Sequence, residues 1–196
     1  MSLRRKYSQL ESKIYIDKHS QLVELCKRGD RKAQYELYRL YAKSMLNVCT
    51  RIVNDVATAE DVLQEAFIDA FCNLHSFKAE STFGAWFKQI VVNKAINHLR
   101  QQKMQWVDIE NFNGENDEND IADSAGYDEE EVNWTVDKIK KGIEKLAEGY
   151  RVVLSLYLFE GYDHEEIGSI LGISENTSRT QYIRGKKKLL EVLKNE

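Results

Sequence analysis

The sequence predicts an all-α protein: two small helical domains joined by a flexible acidic linker. Three observations carry this. Proline is absent from the 196 residues, and apolar residues recur every three or four positions, the period of a helix with one buried face. Strand formers do not alternate with polar residues over any long run. Residues 104–133 then lose the helical period and hold eleven acidic residues and no basic one, the composition of a solvated chain.

The first 20 residues are polar and read as a frayed N-terminal extension. The first domain, residues 21–103, opens on a stripe of Leu22, Leu25 and Cys26, then Ala33, Leu37, Leu40 and Tyr41, then Met45, Val48 and Cys49. This predicts a short helix and a longer one, broken at Gly29 and Asp30. Val56, Ala59, Val62, Leu63, Ala66, Phe67, Ala70, Phe71 and Leu74 predict a third helix. Its other side carries Asp61, Gln64, Glu65, Ile68 and Asp69, either a solvated acidic face or a polar docking face for a protein partner. Phe77–Thr82 reads as a loop, and Ser81 or Thr82 can cap the helix that follows, to about Lys103. Trp86, Phe87, Ile90, Val91, Ala95 and Leu99 form its apolar side, while Gln89, Asn93, Asn97 and Arg100 lie on the other. Amides and cations interleaved with aromatic rings suit an unpaired nucleic-acid strand. Trp86 and Phe87 read as core, and Asn93, Asn97 and Arg100 as functional.

The second domain, residues 134–196, begins with a helical stripe of Val136, Ile139, Ile143 and Leu146, followed by an apolar helix over Tyr150–Phe159 that ends at Gly161. Asp163–Leu189 then reads as two short helices joined by a tight turn. Asp163 with Glu166 three residues on has the spacing of a capping box. Gly168 leaves room for a close approach, Gly172 ends the helix with φ > 0, Ile173 turns back to the core, and Ser174 caps the second helix. From Asn176 to Lys188 that helix holds five basic residues and no acidic one. This is a helix-turn-helix layout whose second helix suits a major groove; the alternative is a helical hairpin with a solvated basic end.

Net charge is −4, yet its distribution is uneven. Removing the eleven linker acids from the total of 32 leaves 28 basic against 21 acidic residues, a net of +7. The folded parts are basic and the middle is acidic. A linker of this length spans ~30 Å, so its charge either mimics nucleic acid over the basic surfaces or only keeps the chain soluble. Cys26, Cys49 and Cys72 form no CxxC pair and read as reduced, buried thiols of a cytosolic protein. His19, His75, His98 and His164 are scattered, so no metal and no cofactor is expected. No apolar run reaches the ~20 residues of a membrane span, and the start lacks the apolar core of a secretory signal. No nucleophile set or phosphate-cradling glycine loop is present, so no enzyme is expected.

Two motifs now stand in order across the linker. Asp55–Phe67 resembles the region 2.2 helix of bacterial sigma factors, and Phe83–Asn97 their promoter-melting, −10-reading helix. Asp163–Leu189 resembles region 4.2, the −35 reader. With only these two domains, the chain resembles the extracytoplasmic-function (ECF) group of the sigma-70 family. Two positions depart from the family pattern: Ser178 stands where an apolar residue is usual, and Ala147 where proline is common. The resemblance implies a factor that binds core RNA polymerase and directs promoter-specific initiation. It places Asp61, Gln64, Glu65 and Phe67 on the β′ clamp helices of core polymerase and implies a further contact with the β flap. Lys78, Ser81, Thr82 and Phe83 fall in the loop that captures a flipped −10 base, and Asn93, Asn97 and Arg100 along the −10 strand. Arg179, Thr180, Ile183 and Arg184 fall on the face entering the −35 groove, with Asn176, Thr177, Gln181, Lys187 and Lys188 on the same helix. Either arginine could read a guanine while the other holds a phosphate; the lysines suit phosphates. An anti-sigma factor is implied by the family alone. The rival readings are a repressor with a helical sensing domain and an adaptor without DNA function.

Overall fold

The computed structural model describes residues 18–101 and 136–195. The 104–133 linker and most of the N-terminal extension lie outside them. Every regular element among the described residues is helical. These residues fall into two compact units, one within 1–50 and 55–95, the other within 51–54 and 96–196.

The first unit is built on α1 (Ser20–Lys27), most of α2 (Arg31–Val53), α3 (Val56–Cys72) and most of α4 (Phe83–Gln101), with a 3-10 turn at Leu74–Ser76; the last residues of α2 and α4, 51–53 and 96–101, fall in the second. Side-chain caps start three of them. Asp30 accepts the amides of Lys32 and Ala33 at 2.8 and 3.1 Å, and Asp55 accepts that of Thr58 at 2.8 Å. Thr82, not Ser81, caps α4, accepting the Ala85 amide at 3.2 Å. Each cap satisfies amide donors that have no intrahelical acceptor.

The interior of this unit is aromatic. Phe87 lies between Phe67 and Phe83, with ring centroids 4.4 and 5.7 Å away, and Tyr41 meets Phe83 at 5.2 Å. The helical phase differs from expectation in α1 and α2. Val23 is buried while Leu25 is exposed, and Leu40 also faces solvent. Cys26 and Cys49 are buried as expected, but Cys72 is exposed, at the last turn of α3. Burial, with Asp30 and Glu36 nearby, pushes the Cys26 thiol up to about 11, so it stays protonated and behaves as a small hydrophobe.

The second unit holds α5 (Val136–Glu144), α6 (Glu148–Leu158), α7 (His164–Leu171) and α8 (Glu175–Lys194). Ile143, Leu146, Leu154, Leu189 and Leu193 form its core, flanked by Ile139, Tyr150, Phe159, Tyr182 and Val192. Val136, at the start of the expected stripe, is exposed. Ala147 precedes α6 at φ −55 and makes no side-chain cap. That angle is the one a proline ring imposes, so alanine there changes little. Glycines let the helices close up. A methyl on Gly142 would lie 2.8 Å from a Leu189 methyl, and one on Gly185 would lie 3.1 Å from Tyr150 Cβ.

Candidate nucleic-acid and partner interfaces

The helix-turn-helix forms as its residues dictate. Asp163 accepts the Glu166 amide at 2.8 Å and Glu166 returns the bond to the Asp163 amide at 2.9 Å. Gly172 closes α7 in the left-handed region at φ 72. Ser174 accepts the Thr177 amide at 3.0 Å. At Gly168 the close neighbour is the turn itself: a methyl there would sit 2.8 Å from the Ile173 carbonyl oxygen. Ile173 is only half-buried.

Along α8 the exposed side chains are Asn176, Arg179, Ile183, Arg184, Lys186, Lys187 and Lys188, with Thr177 and Thr180 half-buried. Ile183 is 57% exposed, an apolar side chain without cover in a basic face. Gln181 is 2% exposed and Ser178 fully buried, so the helix turns both inward. Thr180 donates its hydroxyl to the Asn176 carbonyl at 2.9 Å. Arg179 is ion-paired, its Nε donating to Glu175 at 3.1 Å. Glu175 escaped the sequence reading because it lies one residue before the basic run, although its i, i+4 spacing to Arg179 was there to be read. Lys188 pairs with Glu191 at 2.9 Å.

A polar pair ties the two helices of the motif together. His164 Nδ1 and the Ser178 hydroxyl are 2.9 Å apart in a buried setting. The His164 ring stacks on Tyr157 at 4.7 Å, and Tyr182 meets it at 5.5 Å. Ser178, the departure noted in the sequence, is therefore the partner of a buried imidazole. Burial first, and then Arg179, hold the His164 pKa below its ordinary value, with Glu175 and Asp163 opposing.

In the first unit, Asp61, Gln64 and Glu65 are exposed on α3 opposite the buried stripe, and Ile68 beside them is 62% exposed. Phe67 is not part of that face. It is 4% exposed and packs on Tyr38 and Phe87, 4.7 and 4.4 Å between centroids. Lys94 of α4 bridges to Asp69 at 2.9 Å and to Glu65 at 3.4 Å, so Glu65 is partly neutralised.

Asn93, Asn97 and Arg100 form one exposed row on α4, continued towards its start by Gln89 and Ala85. Arg100 reaches the Asn97 carbonyl oxygen at 3.4 Å. Lys78 and Ser81 are exposed in the preceding loop, and Thr82 is half-buried as the cap. Phe83 is 0% exposed and belongs to the core, so it offers no side-chain surface. Trp86 is half-buried, its ring 5.3 Å from Phe77 and 5.7 Å from Phe83.

Residues 37–104 match the family model of Sigma-70 region 2, and residues 137–189 match that of Sigma-70 region 4. The chain belongs to the sigma-70 family. This sigma factor is 31% identical over 185 residues to the RNA polymerase sigma-H factor of Pseudomonas aeruginosa, covering 90% of this chain and 94% of that one. It is 30% identical over 178 residues to the ECF RNA polymerase sigma factor SigW of Bacillus subtilis, covering 88% and 95%. Its fold is similar to that of the sigma factor RpoE, solved in complex with the anti-sigma factor NepR from Bartonella quintana. That match has a TM-score of 0.52 at 20% identity and covers 82% of this chain and 96% of the other. The sigma factor falls in the ECF group and is a promoter-directing initiation factor of transcription. Among the described residues no helix is long and apolar enough to cross a membrane.

Proposed function

We propose that this sigma factor divides promoter recognition between a first domain at residues 21–103 and a second at 134–196. The observation that carries the reading is the coexistence of two exposed helix faces, the polar row Asn93–Asn97–Arg100 on α4 and the basic face of Arg179 and Arg184 around Ile183 on α8. The first row, with Lys78, Ser81 and Thr82 of the loop, takes the unpaired −10 strand. Extruding a base costs a few kcal/mol, offset by its pocket and by phosphate contacts. The second row enters the −35 major groove. Arg184, with no carboxylate partner among its described contacts, is the guanine reader; a bidentate contact there is worth ~1–3 kcal/mol of discrimination. Ile183 offers apolar contact to a thymine methyl. Asn176, Thr177, Lys187 and Lys188 hold phosphates and fix register.

Asp61, Gln64 and Glu65 dock on the β′ clamp helices of core polymerase, and the second domain on the β flap. Phe67 and Phe83 support these surfaces from within. An anti-sigma factor restrains the protein, as the RpoE–NepR pair exemplifies for a protein of similar fold. The polymerase does the chemistry, the sigma factor needs no cofactor, and the setting is the cytoplasm.

The test is run-off transcription with core polymerase on a promoter library. Arg184→Ala should relax preference at one −35 position, while Lys187→Ala weakens all promoters alike and lowers the salt slope by about one phosphate contact. Identical loss of preference in both variants would contradict the division between readers and holders.

A further inference from the structure

We infer that Lys27, on α1, is a positioning residue for the 77–82 loop and sets its selectivity for the flipped −10 base. The inference rests on the loop being the base-capturing element. Lys27 lies outside the residues that match the region 2 model, which begin at 37. It is 50 residues from the loop in sequence.

Its ammonium donates to the Phe77 carbonyl oxygen at 3.2 Å and stands 5.7 Å from the centroid of the Phe77 ring. One side chain thus holds both the backbone and the ring of the residue where the loop begins. Glu24 holds the same ammonium at 2.9 Å. The side chain is only 20% exposed, so its bond to the carbonyl is shielded from water. Lys27 is also the last residue of α1, where a cation is favoured by the free carbonyls of the helix end.

Phe77 passes this constraint on. Its ring contacts Phe83 at 6.0 Å and Trp86 at 5.3 Å, the first turn of α4. The other end of the loop is fixed by the Thr82 cap. Between these anchors, residues 78–81 are exposed, and Ala79 sits in the left-handed region at φ 58. A non-glycine residue holds that conformation only when its surroundings impose it. Freeing the Phe77 carbonyl weakens one of the two anchors while the buried ring stays in place, so the loop shifts its shape before the protein loses its fold.

The experiment uses the full chain with core polymerase, on promoters carrying each of the four bases at the flipped −10 position. Lys27→Met keeps the apolar stem and removes donor and charge. It should reduce base discrimination at that position by roughly two- to tenfold, the size of one hydrogen bond's net contribution. Core binding and −35 preference should stay unchanged, and Lys27→Arg should restore discrimination. Glu24→Gln, which leaves Lys27 in place, should give the same base-selective pattern at smaller size and serves if Lys27→Met does not fold. Equal loss on all four bases, in step with a lower melting temperature, would show a merely structural role and overturn the inference. The reference is the Lys78→Ala, Ser81→Ala pair. If that pair loses discrimination and Lys27→Met keeps it, the positioning role is wrong and the loop reading stands. If the pair itself keeps full discrimination, the loop is not the reader and the inference fails with it.

Discussion

The loop leading into α4 and the turn leading into α8 do the same job by different means. Each delivers a polar helix face. The turn before α8 is made by its own sequence: a capping box, a left-handed glycine and a serine cap follow one another between Asp163 and Ser174. The loop before α4 has the Thr82 cap and takes long-range support from Lys27 and an aromatic cluster. Under the proposed division of promoter recognition, the locally encoded turn would present α8 to duplex DNA, whose groove has a regular width, and the loop would shape a pocket for one base of a strand without fixed form. The contrast teaches that one chain can position two helix faces by local signals in one case and by distant residues in the other.

Substitutions should separate the two modes. The largest effect is expected from Phe87→Ala, which empties the centre of the aromatic cluster and should cost ~3–5 kcal/mol. In urea unfolding it should loosen the first unit and expose its tryptophan, Trp86; a loss below 1 kcal/mol would mean the aromatic core does not hold the loop and α4. Gly168→Ala drives a methyl against the Ile173 carbonyl, which is backbone and cannot swing aside. About 1–3 kcal/mol should be lost, together with −35 binding, while core binding persists. Wild-type stability in this variant would show that the turn is less tightly specified than its geometry indicates.

Asp163→Ala removes one half of the capping box and should cost ~1 kcal/mol, read as a lower urea midpoint; Asp163→Asn should recover most of it. A pH effect comes next. The fold prefers neutral His164, so the unfolded chain takes up that proton at a higher pH than the folded one. The stability this gives is complete above the ordinary value of 6.5 and is lost as pH falls below it. Urea midpoints from pH 7.5 to 5.5 should therefore decline, less steeply in His164→Gln; parallel slopes in the two proteins would refute the linkage. The smallest change is Ala79→Gly. Relief of the left-handed strain exceeds the entropy glycine adds to the unfolded chain by about half a kcal/mol, so this variant should be slightly more stable.

What could be read from the sequence follows the same division. Asp163, Glu166, Gly172 and Ser174 act within a few residues of themselves, and composition and spacing suffice to find them. Leu25 and Leu40 were expected inside and lie outside, because a helical period marks a stripe but not which edge of it meets a neighbour. Phe67 and Phe83 carry motif resemblance yet are buried, since a motif records position and not which way the ring turns. Ser178 looked like a departure until His164, 14 residues earlier, proved to be its partner. Lys27 and Phe77 meet only in three dimensions, and no spacing rule connects them.

The Glu175–Arg179 pair bears on how the protein travels along a genome. Most encounters with DNA are with the wrong sequence, and residence there grows with the number of phosphates neutralised. A guanidinium already paired with a carboxylate gains less from a phosphate than a free one does, so under the proposed division Arg179 adds little drag to scanning. The same pair must open at the correct site as well, so Glu175 tempers both kinds of contact alike. Sequence discrimination then falls to Arg184, and the carboxylate one turn before Arg179 trims the attraction that every stretch of DNA shares.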